Sequence, residues 1–170
     1  MPSLLLGCGH SRVKKLWMPG QEKWAEPLTT LDMGDNVEAD IVWDLENRPL
    51  PFPDDHFDEI HAYDVLEHVG KQGDWRGFFD EFGEYHRLLK PGGMLGLIVP
   101  CGNDWFADPG HTRFFTATWF AFLDRDQVED NLKRGNQITD YRWYWKKNFT
   151  IRHLEHQDRH HIYVMLEKTP

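Results

Sequence analysis

Three leucines closing on two glycines, Leu4-Leu5-Leu6-Gly7-Cys8-Gly9-His10, form the stretch of this chain best suited to meet a ligand. Without side chains at Gly7 and Gly9 the backbone can approach another molecule closely and turn N–H groups toward its polar atoms. The same pair would also make an ordinary tight turn. Asp32 and Asp44 each end a short apolar run. A carboxylate there can accept from a ligand's hydroxyl or amino group, or simply close a turn. His111 stands between Pro109-Gly110 and Thr112-Arg113 on a segment poorly suited to a core. A neutral imidazole with an unperturbed pKa of about 6.5 can take a proton from a hydroxyl or ammonium group near neutral pH. Its plainer role would be to hydrogen-bond a backbone group and steady the turn.

Ten histidines raise the question of a metal. His153, His156, His160 and His161 cluster in sequence but straddle what reads as a hairpin, and no cysteine or closely spaced carboxylate completes a familiar ligand set. No metal is expected. His68 reads as a packing residue at the start of a helix. The two cysteines, Cys8 and Cys101, make no Cys-x-x-Cys pair, so no structural disulfide is expected.

The elements that must position these residues follow from pattern. A continuous apolar run such as Leu4–Leu6 suits a strand buried on both faces, as in a parallel sheet. Ser11 to Leu16 reads as a short helix stopped by Pro19-Gly20. Leu28–Leu31 and Ile41–Trp43 read as strands two and three, and the alternating Phe57–Ala62 as the fourth, followed by Tyr63-Asp64. Asp74 caps a helix with Trp75, Phe78, Phe79, Phe82, Tyr85 and Leu89 on its apolar face. Pro91-Gly92-Gly93 ends it, and Met94–Val99 is a fifth, buried strand. Thr116 reads as the cap of a helix burying Phe120, Leu123 and Trp119. From Asp124 to Lys147 the pattern is weak, with aromatic residues Tyr141 to Trp145 best read as packing. Phe149–Leu154 and Ile162–Leu166 form a hairpin turning near Gln157-Asp158-Arg159. Strands alternating with crossovers place Gly7, Gly9, Asp32 and Asp44 along one edge, outside the carboxyl ends of a parallel sheet.

At 170 residues, 40% hydrophobic with 8 Trp and 11 Phe, the chain can bury one core, so residues 1–170 read as a single domain. A formal charge of -9 opposes non-specific attraction to nucleic-acid phosphates or anionic lipid, and neither nucleic-acid nor membrane signal is evident. No apolar run approaches the roughly 20 residues of a membrane span, and no signal-peptide layout opens the chain. A cytoplasmic protein is expected.

Taken in order, Leu4–Gly9, Asp32, Asp44, Pro51-Phe52-Pro53-Asp54-Asp55-His56-Phe57-Asp58, Val65-Leu66-Glu67-His68-Val69 and Leu88-Leu89-Lys90-Pro91-Gly92-Gly93 resemble the class I S-adenosylmethionine-dependent methyltransferases, closest to the methyltransferase type 11 group. The resemblance implies an α/β, Rossmann-like, seven-stranded, mostly parallel sheet with helices on both faces and a C-terminal antiparallel hairpin. It implies S-adenosyl-L-methionine as cofactor; the acceptor is expected to be a small molecule, and His111, on the loop after the fifth strand, is the residue expected to face it as catalyst. Gly7, Cys8 and Gly9 would pass the methionine and ribose portion, Asp32 with Met33 would take the ribose hydroxyls, and Asp44 with Leu45 would read the adenine edge. Tyr63 and Asp64 would lie near the amino-acid end. Two departures stand out: Leu5 where the family commonly has an acid, and Ser11 where it has a third glycine. The chain also starts at its first strand, without the helix that usually roofs the site, so the substrate, a second copy or a partner subunit is expected to close it. The alternative is a cofactor-binding but catalytically degenerate subunit supporting a partner. A nicotinamide oxidoreductase is disfavoured by the incomplete Gly-x-Gly-x-x-Gly.

Overall fold

Leu4, Leu5 and Leu6 are all buried in β1 (Ser3–Leu6), because a central parallel strand covered on each face has no solvent side. The computed structural model describes residues 1–157 and 160–170. In it β1 pairs in parallel with β2 (Leu28–Asp32) on one edge and β4 (Phe57–Tyr63) on the other. The short β3 (Ile41–Val42) lies outside β2, and β5 (Leu89–Pro100) lies beyond β4. The antiparallel pair β6 (Asn148–Gln157) and β7 (His161–Thr169) completes a seven-stranded sheet in the order β3-β2-β1-β4-β5-β7-β6. This is the Rossmann-like, mostly parallel sheet that the sequence predicts. The chain runs outward from β1 to β3 and then returns to the other side of β1, so the order reverses between β1 and β4, the kind of place where open α/β sheets bind ligands at the carboxyl edge.

Helix α1 (Trp75–Leu88) begins where expected, with the Asp74 carboxylate accepting from the Gly77 N–H at 3.0 Å. Phe78, Phe79, Phe82, Tyr85 and Leu88 are buried on its inner face. The Pro91-Gly92-Gly93 turn is not a break between elements: β5 starts at Leu89, directly after the helix, and takes up the irregularity as a register shift against β4. Asp124, in the segment with the weakest pattern, caps α3 (Arg125–Lys133) through the N–H groups of Asp126 and Gln127, and α2 (Ala117–Ala121) precedes it. Thr116 occupies the N-cap position of α2 without a side-chain cap bond, while Phe120 and Leu123 are buried as predicted. Trp145 is buried and Tyr141 and Tyr144 pack against the core, so these members of the aromatic cluster serve packing, while Trp143 is exposed. The hairpin strands are longer than predicted; the turn expected near Gln157-Asp158-Arg159 includes residues 158 and 159, which lie outside the described residues. Cys8 and Cys101 are both buried and not bridged.

The two faces of the sheet are covered differently. Leu4, Leu6, Leu31, Ile60, Ala62, Leu95 and Leu97 face a large cluster shared with Phe78, Phe82 and Phe120 of the helices. Leu5, Tyr63, Ile98 and Met165 face a smaller cluster completed by Leu16, Met18 and Trp24. The expected helix at Ser11–Leu16 is not formed: residues 11–18 have no regular structure. Their backbone groups are taken by side chains instead. The Tyr63 hydroxyl accepts from the N–H groups of Lys15 and Leu16, and the Trp24 indole donates to the Arg12 carbonyl at 2.7 Å. Tertiary partners that satisfy these groups remove what a helix would have gained.

Candidate functional site

Gly7 and Gly9 both adopt positive φ, +55° and +49°. A Cβ on Gly7 would come within 2.1 Å of Val65 Cγ2, so only glycine lets the end of β1 pack against the segment following β4. A Cβ on Gly9 would meet nothing within 4 Å, so this α-carbon faces open space. The Gly9 N–H donates to Asp32 Oδ2 at 2.8 Å, and the Gly34 N–H donates to Oδ1 at 2.9 Å. Asp32 thereby ties the glycine turn to the end of β2, with lone pairs left for a further donor. Between the glycines, Cys8 is buried, and burial pushes its thiol pKa up. Met33 is exposed beside Asp32. Asp44 accepts from the Glu46 N–H at 2.9 Å, a turn-closing bond, with Leu45 buried behind it.

Tyr63 and Asp64 separate at the end of β4. Tyr63 turns into the smaller cluster, where its hydroxyl also donates to His61 Nδ1 at 2.7 Å and burial holds its phenol above the ordinary pKa. Asp64, with φ of 56°, points outward and meets Lys15 Nζ at 3.4 Å and His161 Nε2 at 3.2 Å. It links the coil after the glycine turn to the start of β7.

His111 sits on the loop between β5 and α2. That loop docks onto the short 3-10 turn Leu66–His68 through the N–H groups of Thr112 and Arg113, both donating to the Glu67 carbonyl. Its Nδ1 donates to the Trp105 carbonyl at 2.6 Å, while Nε2 stands 3.7 Å from Glu67 Oε1. Burial pushes the Glu67 carboxyl up to about 8, outweighing its backbone hydrogen bond and the Arg113 charge. His68 is not a core residue; its half-exposed ring lies edge-on to His111 at 4.6 Å. The sequence motif pointed to this turn but not to Glu67 as its inward member, because a three-residue 3-10 turn has no periodicity to read. Of the hairpin histidines, His153 pairs with Glu155 and His160 with Asp104. An apolar cavity of about 280 Å³ lined by Lys71, Trp75, Phe78, Phe79, Trp119 and Tyr141 lies against α1 and includes none of the predicted site residues.

A family model described as a methyltransferase domain matches residues 4–97. Among solved structures, an S-adenosylmethionine-dependent methyltransferase from Mesorhizobium loti is similar at 16% identity and a TM-score of 0.54, covering 98% of this chain and 90% of that one. The N-methyltransferase NodS from Bradyrhizobium japonicum is similar at 14% identity and a TM-score of 0.58, covering 99% and 86%. A chain of the complex between the Haloferax volcanii Trm112 methyltransferase activator and a putative methyltransferase is similar at 12% identity and a TM-score of 0.59, covering 99% and 83%. No curated protein matches the chain. With the sheet order, the glycine turn and a family match across more than half of its length, the chain belongs to the methyltransferase domain family.

Proposed function

We propose that this protein transfers a methyl group from S-adenosylmethionine to a small-molecule acceptor, with residues 1–170 acting as one domain. The observation that carries the reading is the Gly9–Asp32 hydrogen bond between the carboxyl ends of β1 and β2, beside an α-carbon that faces open space. In this reading the ribose and its neighbouring chain pass over Gly9, where nothing lies within 4 Å of the place a Cβ would take. A second support is that NodS, similar in fold, has been solved with S-adenosylhomocysteine.

When bound, the cofactor supplies an electrophilic methyl on a sulfonium. The protein's part is to hold and align, and well-oriented reacting groups can gain roughly 7–11 kcal/mol in the best intramolecular cases. In this reading Gly7, Cys8 and Gly9 pass the methionine and ribose, and Asp32 with Met33 accepts from the ribose hydroxyls. Asp44 and Leu45 border the adenine, and Asp64, with Tyr63 beneath it, borders the amino-acid end. His111 lines the acceptor side. Its Nδ1 is held by the Trp105 carbonyl, so Nε2 is the nitrogen left to act. Among the described residues no helix is long and apolar enough to cross a membrane, and a cytoplasmic location belongs to this reading.

One observation favours a second reading, a cofactor-binding subunit that supports a catalytic partner. The crossover after the glycine turn is coil, so no helix N-terminus faces the cofactor's carboxylate there. The exposed Val13, Trp17 and Met33 near it would suit a covering subunit or second copy. Calorimetric titration with S-adenosylmethionine and S-adenosylhomocysteine tests both readings: binding of neither ligand overturns them together. Binding without turnover across an acceptor panel selects the second.

A further inference from the structure

Three potential ligand atoms converge on one point near the carboxyl edge of the sheet, and with Glu67 ionised none of them carries a donor. His111 Nδ1 lies 2.6 Å from the Trp105 carbonyl, and His68 Nδ1 lies 3.2 Å from the Gly110 carbonyl. A carbonyl only accepts, so each neutral ring carries its proton on Nδ1 and presents Nε2 as a lone pair. Both Nε2 atoms face the same oxygen, Glu67 Oε1, at 3.7 Å from His111 and 4.0 Å from His68. These separations are too long for hydrogen bonds. Glu67 is 1% exposed, and its Oε2 has no hydrogen-bond partner among the described residues. A carboxyl group buried in this way is costly to ionise unless something positive joins it.

We propose that Glu67, His68 and His111 form a mononuclear binding site for a divalent transition metal ion of the zinc type. One ligand atom from each residue lies within 4.8 Å of the other two. Zinc binds imidazole nitrogen and carboxylate oxygen at about 2.0–2.2 Å, which puts tetrahedral neighbours roughly 3.3–3.6 Å apart. The two carboxylate–imidazole separations, 3.7 and 4.0 Å, need to close by only some tenths of an ångström, and the imidazole–imidazole one, within 4.8 Å, by at most about 1.5 Å. Two imidazoles and one carboxylate are a donor set of intermediate softness, which suits Zn²⁺ and its neighbours; Mg²⁺ and Ca²⁺ prefer oxygen ligands. The carbonyls of Trp105 and Gly110 serve as outer partners that fix each ring's tautomer and aim its free nitrogen, an arrangement that accompanies metal-bound histidines. Asp64 and Asp108 add negative field around Glu67; the opposing Arg113 is paired with Glu81 at 2.7 Å. Three protein ligands leave a fourth position for water or for an oxygen of a bound molecule, and the exposed edge of His68 gives access from solvent. The hairpin histidines, by contrast, bring no such set together among the described residues.

The site takes up His111 Nε2, the nitrogen that the methyl-transfer reading leaves free for the acceptor, so a bound ion would replace that imidazole as base; metal binding is measured without turnover. Chelator-treated full-length protein is titrated with Co²⁺, followed by visible absorption, and with Zn²⁺ in competition. The expected result is one ion per chain, displaced by Zn²⁺ and not by excess Mg²⁺. Glu67→Gln and His68→Ala should each weaken binding at least about 10-fold, the effect that loss of even an outer partner commonly has. The partly exposed His68 makes His68→Ala the variant most certain to fold, and its thermal midpoint without metal checks this. A His153→Ala/His156→Ala hairpin variant should bind as the wild type does. No stoichiometric binding, unchanged affinity in folded His68→Ala, or loss of binding in the hairpin variant overturns the proposal. S-adenosylhomocysteine calorimetry on the same samples keeps the two readings separate: its failure with metal binding intact counts against methyl transfer and leaves the metal site standing.

Discussion

Lys14 Nζ lies 2.6 Å from Glu59 Oε2, with side chains only 4% and 9% exposed, and this ion pair holds the helix-free crossover against the sheet. The Lys14 ammonium is completed by the carbonyls of Gln21 and Lys23, each at 2.9 Å. Glu59 receives His61 Nε2–H at 3.2 Å, Ser3 Oγ at 2.7 Å and the Ala25 N–H at 3.0 Å. Its charge is therefore well satisfied away from water. Removing one partner of a buried pair strands the other, which costs about 3–5 kcal/mol. Lys14→Met should destabilise the protein by about that amount in urea unfolding, and adding Glu59→Gln should recover part of the loss. A loss below roughly 1 kcal/mol, the range of exposed pairs, would show that the pair holds nothing.

Glu59 also makes stability depend on pH. Burial alone would raise its pKa, but the hydrogen bonds from His61, Lys14 and the Ala25 N–H outweigh it and bring the carboxyl down to about 2. A carboxyl whose folded pKa lies below its unfolded value stabilises fully above the unfolded pKa and loses that contribution as pH falls through the folded one. Wild type should therefore exceed Glu59→Gln in stability by on the order of 3 kcal/mol at pH 6, with the gap narrowing between about pH 4.5 and 2. Unfolding both proteins across that range measures it; a gap that stays constant would contradict the depressed pKa.

Asp32→Ala removes both the acceptor of the Gly9 N–H and the proposed ribose partner. S-adenosylhomocysteine affinity should fall by about 1–3 kcal/mol, the range for a hydrogen bond to a charged group. Calorimetry on a variant with native far-ultraviolet dichroism is the measurement, and unchanged affinity would remove Asp32 from the site.

The two glycines should respond differently to alanine. Either substitution places a Cβ at positive φ, which costs about 1–2 kcal/mol. At Gly9 nothing else is displaced, so Gly9→Ala should fold with that modest loss and yet bind S-adenosylhomocysteine poorly, because the new methyl stands where the ligand would pass. At Gly7 the methyl meets Val65, and destabilisation should be clearly larger. Equal thermal shifts in the two variants would contradict this contrast.

The sheet was legible because its signals are local or nearly so. Leu4–Leu6 declares a strand buried on both faces, Asp74 declares a helix start, and the carboxylates Asp32 and Asp44 fall at the edge that parallel topology dictates. The glycine turn and its Asp32 partner were likewise readable, since both stand at strand ends whose order the motifs set. What only the tertiary structure decided are contacts between residues far apart in sequence. Ser11–Leu16 has helical composition, yet Lys14 finds Glu59 and the Tyr63 hydroxyl takes the N–H groups of Lys15 and Leu16, so long-range polar partners override local propensity. In the same way Glu67 and His111 come together because the loop after β5 hydrogen-bonds to the turn after β4, and the sequence by itself holds no term for a contact made across 43 intervening positions.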